Sequence, residues 1–356
     1  MKKIWKSIFV YMLCAVMFLQ VGCGEQQSQE SPDTDVISSE EGNSENAEYT
    51  YRDVLVDQSV IDGKFACYFF RSDHDLTQPH GETVSPGDCT LLIAPDGTTV
   101  MIDCNGMPVT ARVVDYLQSM GIERIDHLII SHPDWDHYQG YPVLLRYMEI
   151  GCVYTSTSTA WTTEGQLANK FIKAVEEKGI PRKVLQEGDV MEFGGATAKV
   201  YWPRVGATYA LTADDPGALN TNGGSLVIKV VYGESSFMFA GDLYVGQENV
   251  LVQQYGNELQ ADVEKMSHHG YSTSNGRNWI DTVHSKIAVA MCHNVGNQGV
   301  WNNYLLRGGV TMNTSLDGTC LIYTSGDGTY DVQVEKERDS SYFGALDTKD
   351  GHFRVE

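Results

Sequence analysis

Leu128-Ile129-Ile130-Ser131-His132-Pro133-Asp134-Trp135-Asp136-His137-Tyr138-Gln139-Gly140 joins a short apolar run to four metal-ligating side chains, His132, Asp134, Asp136 and His137. Imidazole and carboxylate at this density suit Zn²⁺ or a similar first-row metal. Four such groups within six residues exceed the three protein ligands of an ordinary catalytic zinc, so two adjacent metals are expected. The pattern His-x-Asp-x-Asp-His arises by accident in roughly one chain of this length in a thousand, which sets a merely polar loop well behind a ligand loop.

Outward from this stretch, residues 127–130 read as a strand and Val109 to Met120 as a helix, with apolar residues at Val113, Val114, Leu117 and Met120 and Gly121 placed to end it. Before them, Cys89 to Ala94, the turn Pro95-Asp96-Gly97 and Thr98 to Ile102 spell a hairpin, and Lys64 to Phe70 a first buried strand. A strand, a helix and a strand that delivers polar ligands at its C-terminal end is where α/β sheets hold their chemistry. Downstream, helices are expected over Tyr141 to Ile150 and Gly165 to Lys178, then strands at Lys183 to Leu185, Val190 to Phe193 and Thr197 to Trp202. Thr208 to Gly224 is polar and long, as functional loops are. Strands at Ser225 to Tyr232 and Phe237 to Ala240, a helix over Gln247 to Gln254 and a strand at Asp262 to Met266 follow. Lys286 to Met291, Gly318 to Thr324 and Tyr330 to Val334 close the chain as strands. No repeat has a fixed period, although both halves run strands into helices in the manner of a pseudo-twofold.

The 356 residues suffice for a sizeable core. With 25 Lys and Arg against 47 Asp and Glu, the net charge of −22 disfavours a broad grip on nucleic acid, which needs clustered bases. Lys2, Lys3 and Lys6 ahead of the apolar run Ile8 to Val21 read as a signal peptide over residues 1–22, and the run is too short for a membrane span. Val21-Gly22-Cys23 resembles a bacterial lipobox with Gln20 as its one departure, so Cys23 is the expected lipid site, with plain secretion as the alternative. Residues 23–49, rich in Gln, Ser, Glu, Asp and Asn, form the expected disordered tether, and residues 50–356 the folded domain. Cys67, Cys89, Cys104, Cys152, Cys292 and Cys320 are widely spaced without a Cys-x-x-Cys pair and are expected as buried thiols.

Three further sites repeat the pattern of an apolar strand delivering a ligand: Asp103 after Val100-Met101-Ile102, Asp242 after Phe237 to Gly241, and His268-His269 after Val263 to Met266. Each alone is commonly a turn or cap residue; joined to residues 132–137 they describe one site.

With Gly87-Asp88, Met101-Ile102-Asp103, Ser131 to His137, Asn222 to Val227, Gly241-Asp242, His268-His269-Gly270 and Asp317-Gly318-Thr319 in this order, the chain resembles the metallo-β-lactamase superfamily. Within it, the hydrolase domain of ComEC-type DNA-uptake proteins and their free-standing relatives is the nearest likeness, over roughly residues 62–335. The resemblance implies an α/β (α+β) fold, the four-layer αββα metallo-β-lactamase sandwich, with a metal pair at one edge. It implies that His132 and Asp134 hold the first metal, that Asp136, His137 and one of His268 and His269 hold the second, and that Asp242 bridges them. The other histidine of that pair becomes a proton donor or a supporting group, with Tyr271 the weaker donor. Asp103 orients a ligand from behind, and Asn222 stands near the metals. Many members carry a further histidine before the strand that here begins at Ser225, where this chain has Asn220, Thr221 and Asn222. The family's tight glycine-rich turn is replaced by a longer loop, Arg71 to Pro86, whose His74 and His80 are expected at the surface.

Zinc, with Mn²⁺ or Fe as alternatives, lowers the pKa of a bound water towards about 7 and supplies hydroxide at neutral pH. Asp134, Asp136, His268 and His269 are therefore the expected catalytic residues. Trp135 and Tyr138 either line the pocket or pack beneath the loop. The function expected is an extracytoplasmic, lipid-anchored hydrolase of a small-molecule or anionic ester substrate, with phosphodiesters favoured because paired metals clamp both the attacking and the leaving oxygen. The alternatives are an extracellular nuclease linked to DNA uptake or degradation, a β-lactamase, and a surface binding protein with weakened catalysis.

Overall fold

Short apolar strands collect into two sheets stacked face to face. The computed structural model describes residues 58–72, 87–207, 218–292, 297–336 and 352–356, which all fall in one compact unit, Tyr49–Glu356. The expected signal segment and tether, with Cys14 and Cys23, His74, His80 and the first part of the polar stretch from Thr208 lie outside the described residues. No described helix is long and apolar enough to cross a membrane.

The first sheet contains β1 (Phe65–Phe69), β2 (Thr90–Ile93), β3 (Thr99–Ile102), β4 (Arg124–Ile130), β5 (Glu149–Thr155), β6 (Arg182–Val184), β14 (Cys320–Thr324), β15 (Tyr330–Val334) and β16 (His352–Val355), in the order β16-β15-β14-β1-β2-β3-β4-β5-β6. The second contains β7 (Val190–Phe193), β8 (Ala196–Trp202), β9 (Val227–Tyr232), β10 (Ser235–Phe239), β11 (Val263–Lys265), β12 (Ile287–Ala290) and β13 (Val310–Asn313), in the order β13-β12-β11-β10-β9-β8-β7. Their inner faces share a core in which Phe65, Phe69, Val100, Ile102 and Ile322 meet Val200, Ile228, Phe237, Phe239 and Val289.

Helices cover both outer faces. On the first sheet lie α1 (Met107–Ser119), α3 (Tyr141–Tyr147) and α4 (Leu167–Glu177), whose Val113, Leu117, Leu144 and Phe171 pack on Tyr68, Leu91, Met101 and Leu128. On the second lie α6 (Val245–Tyr255) and α7 (Arg277–Val283), whose Leu251, Trp279 and Val283 pack on Val227, Met238 and Ala240. α8 (Gln298–Leu305) adds Val300 and Tyr304 against Ala288 and Ala290. Each sheet is thus apolar on both faces, so helix, sheet, sheet and helix stack as the αββα sandwich.

The hairpin β2–β3 turns at residues 95–97 with Gly97 at φ 87°, and the Asp96 carboxylate accepts from the Thr98 amide at 2.9 Å. Two helix assignments change. The helix expected to reach Ile150 stops at Tyr147, and β5 pairs in parallel with β4 from Glu149 onward. Gly151 explains it: a side chain there would strike the Asp126 carbonyl and the Arg124 guanidinium of β4, so it is a close-approach position between strands. The polar stretch after Thr208 ends as a short helix, α5 (Ala218–Gly223). α7, α8 and β13 carry chain that was expected without regular structure. All six described cysteines are free thiols, and all but Cys152 are fully buried.

Candidate metal centre

Parallel pairing of β3 with β4 and of β10 with β11 brings four strand ends to the same edge of the sandwich. Asp103 follows β3, the ligand loop follows β4, Asp242 follows β10, and His268 and His269 follow β11. Hydrogen bonds lock these ends together across the sheets. The Leu226 amide donates to the Ser131 carbonyl at 3.0 Å, the Asp242 amide to Ser225 Oγ at 3.1 Å, and the His268 amide to the Gly241 carbonyl at 3.0 Å. The ligand loop continues into α2 (Trp135–Tyr138), and behind it Gly140 lies so close to the Cys104 carbonyl and Thr110 that no side chain fits there. Asp103, His268 and His269 all sit at positive φ (59°, 46° and 55°), uncommon for side chains of this size and typical of functional sites.

The Nδ1 edges of the imidazoles are anchored from outside. His137 Nδ1 is 2.8 Å from Asp103 Oδ2 and His269 Nδ1 is 3.0 Å from the Met291 carbonyl. His132 Nδ1 lies 3.0 Å from Ser131 Oγ, whose own proton goes to Asp103 Oδ2 at 2.7 Å. Carboxylate, carbonyl and a hydroxyl already spent as donor can only accept, so each Nδ1 carries a proton and Nε2 is the inward nitrogen that can give its lone pair to a metal in place of a proton.

These inward atoms converge on one carboxylate oxygen. Asp242 Oδ2 lies 3.2 Å from His269 Nε2, 3.3 Å from His137 Nε2, 3.8 Å from His268 Nε2 and 3.9 Å from His132 Nε2. Asp136 Oδ2 is 3.3 Å from His269 Nε2 and 4.0 Å from His137 Nε2, while Asp134 Oδ2 is 3.8 Å from His132 Nε2. The Nε2 atoms of His137 and His269 are fully buried and have no hydrogen-bond partner among the described residues despite these short separations. That combination fits a metal: donors placed tetrahedrally at about 2.0–2.1 Å from a zinc lie about 3.3 Å from each other without pointing at each other. His269 with Asp136 and Asp242, and His137 with Asp242, match that spacing at 3.2–3.3 Å, while the His137–Asp136 pair at 4.0 Å and the His132 contacts with Asp134 and Asp242 at 3.8–3.9 Å are wider.

Asp88, His137, Asp242 and His269 also offer donor atoms within 4.8 Å of one another. Asp88, however, faces the wrong edge of both rings, with its oxygens 3.2 Å from His269 Nδ1 and 3.8 Å from His137 Nδ1. It is bound instead by Lys265, whose Nζ also donates to the Gly241 carbonyl at 2.9 Å and sits 3.4 Å from Asp242 Oδ1. Asp88 and Lys265 therefore brace the centre from behind.

Burial alone would push Asp242 up, yet His269, His137 and Lys265 facing it hold its carboxyl well below the usual range. Burial also opposes charge on His137 and His269. For His137 the carboxylates of Asp242, Asp103 and Asp136 outweigh it, and for His269 those of Asp242 and Asp88, so both imidazoles stand well above their ordinary value. His132, buried beside His137, is driven well below its own. Burial lifts Asp134 to about 7 against a hydrogen bond from Thr221. Asp88 would rise on burial, but Lys265 and His269 bring it to about 2.

All seven candidate ligands, His132, Asp134, Asp136, His137, Asp242, His268 and His269, meet at this edge, with Asp103 behind His137. Asn222 is buried nearby and its amide donates to the Tyr244 hydroxyl at 3.0 Å. Tyr138 is a core residue, packed on Trp161 and Phe171, whereas Trp135 is 46% exposed at the rim. Tyr271 has its ring 5.4 Å from that of His268 and 6.1 Å from that of His269. Sequence reasoning gave no role to Lys265, Asp88 or Ser131. The signal was present for the first, since a lysine inside an apolar strand needs a buried partner.

Residues 83–292, more than half of the chain, match the family model described as "Metallo-beta-lactamase superfamily". Among curated relatives, ComE operon protein 3 of Bacillus subtilis is 27% identical over 177 residues, and competence protein ComA of Neisseria gonorrhoeae is 27% identical over 179. Each match takes in 50% of this chain but only 21% of the relative. Among solved structures, the metallo-beta-lactamase fold protein YhfI from Bacillus subtilis aligns with a TM-score of 0.45 and 12% identity, covering 70% of this chain and 95% of that one.

Proposed function

This chain belongs to the metallo-β-lactamase superfamily and is a metal-dependent hydrolase by that membership, and from there we propose that it is an extracytoplasmic, lipid-anchored enzyme that uses two zinc ions to cleave a phosphodiester or a related anionic ester. The observation that carries the reading is Asp242, whose Oδ2 has four imidazole Nε2 atoms within 3.2–3.9 Å. His137, His269, Asp136 and Asp242 would hold one metal, and His132, Asp134 and Asp242 the other.

When bound, such metals supply Lewis-acid polarisation and a water acidic enough to react near neutral pH. The chain's own groups do the rest. Asp103 and Ser131 fix the ring orientation and tautomer of His137 and His132. Lys265 shares the charge of Asp242 and Asp88, so the carboxylates are not left uncompensated in a buried site. Tyr271, whose ring lies beside both histidines, would hand a proton to a leaving oxygen. The basic run followed by an apolar one, and then Cys23, supports export and a lipid anchor.

A nucleic-acid substrate is the second reading. Similarity to competence protein ComA of Neisseria gonorrhoeae favours it, and a net charge of −22 opposes it.

The zinc-loaded full chain should hydrolyse a phosphodiester from a panel that also holds a phosphomonoester, a lactone, a β-lactam and single-stranded DNA. Asp136→Ala and Asp242→Ala should each lower that rate at least about 100-fold, the upper end of what losing an outer partner costs. DNA as the fastest substrate selects the second reading. A wild-type rate no higher than the two variants sinks both and leaves a binding protein.

A further inference from the structure

We propose that the two adjacent histidines divide between the two metals, His269 on the Asp136–His137 side and His268 as the ligand that completes the His132–Asp134 side. The inference rests on the two-metal reading above and adds to it a donor for the position that lacks one. His132, Asp134 and Asp242 give that side three donors, and Thr221 and Asn222, the buried residues before β9, have their side chains engaged elsewhere. Thr221 hydrogen-bonds Asp134, and Asn222 donates to Tyr244.

His268 presents Nε2 to the same bridging carboxylate at the wider of two spacings. Its Nε2 is 3.8 Å from Asp242 Oδ2, almost the 3.9 Å of His132 Nε2, whereas His269 and His137 share the closer 3.2–3.3 Å. The ring of His268 rests 5.2 Å from that of Tyr244, so Asn222 and Thr221 link it round the rim to Asp134. In an extended chain two successive side chains point to opposite faces. Here φ of 46° and 55° at His268 and His269 turns both rings to the same carboxylate, a strained arrangement that one histidine alone would not require. His268 also has the outer partner that metal-binding histidines have, since its Nδ1 lies 2.5 Å from Thr273 Oγ1. The other three imidazoles are anchored the same way at Nδ1, by Ser131, Asp103 and Met291. Separations of 3.8–3.9 Å exceed the tetrahedral spacing, so this position must contract around its metal and binds it more weakly.

The test is a Co²⁺ titration of the metal-free full chain, read by calorimetry and by the visible absorption of the bound ion. Wild type should take up two equivalents of unequal affinity. His268→Asn, which tolerates the left-handed backbone, should keep the tight equivalent and lose the weak one; the retained equivalent also reports that the centre has folded. His269→Asn should remove the tight one. Thr273→Val should weaken the weak equivalent alone, by about 10–100-fold. Two equivalents of wild-type affinity in His268→Asn overturn the proposal, as does saturation of wild type at one. If His268→Asn loses both, Thr273→Val decides: selective weakening supports the assignment, and unchanged affinities overturn it. Failure of phosphodiester hydrolysis with two metals bound would count against the proposed reaction and leave this assignment standing.

Discussion

Lys265 is a cation inside the core, held between Asp88, Asp242 and the Gly241 carbonyl. In the sequence it looks like an irregularity in the apolar strand Val263-Glu264-Lys265-Met266. Its worth is that of a buried pair, in which removing one partner strands the others. Lys265→Met should therefore cost the metal-free protein about 3–5 kcal/mol in urea unfolding, and a loss below about 1 kcal/mol would show that the carboxylates find other compensation. The candidate ligands were nameable because density of type is a sequence property. That Asp88 stands behind the rings and Asp136 in front was not, since both are aspartates near an apolar strand and only the ring edge each one faces tells them apart.

The element that sets the second half of the site is the turn Ser267–Gly270, and a side chain beyond it holds it in shape. Asn275 Nδ2 donates to the Ser267 carbonyl at 2.9 Å and to the Tyr271 carbonyl at 3.1 Å, its amide nitrogen donates to Glu248 of α6 at 2.7 Å, and its Oδ1 accepts from Tyr304 of α8 at 3.2 Å. Two helices thus brace the turn through one residue. Asn275→Ala should loosen the tighter metal by about 10–100-fold and lower stability by about 1–3 kcal/mol, because buried carbonyls and a hydroxyl lose their partner; unchanged metal affinity in a folded variant would refute the link. Helices α7 and α8 that make this bracing possible escaped the sequence reading, although Trp279, Ile280 and Val283 have helical spacing. The same limit produced the error at Ile150: Met148 to Thr155 carries apolar residues that suit helix or strand, and the neighbouring strand β4 decided for strand.

For the molecule as a whole, stacking two sheets between helix layers buries charge that short strands cannot expel. Glu264 is fully buried, accepts from Trp279 Nε1 at 2.6 Å and Ser285 Oγ at 3.1 Å, and is lifted by burial from 4.5 to about 7. A folded-state value above the unfolded one means that the native protein binds the extra proton between these limits, so this stability is complete below about pH 4.5 and is lost as pH rises to about 7. Glu264→Gln keeps an acceptor for Trp279 and cannot ionise. It should match wild type near pH 4 and exceed it at pH 8 by on the order of 3 kcal/mol, read as the difference in urea unfolding at the two values; equal stabilities at pH 8 would mean that the glutamate ionises without cost. The amino-acid sequence by itself determined that strands end in imidazole and carboxylate side chains, that these are dense enough to suit metal binding, and that their order is that of this superfamily, because residue type and spacing are local. The tertiary structure alone decided which imidazole nitrogen faces Asp242, which histidine stands close and which wide, and that a buried lysine neutralises the site, because these depend on side chains from different strands meeting at one edge of the sandwich.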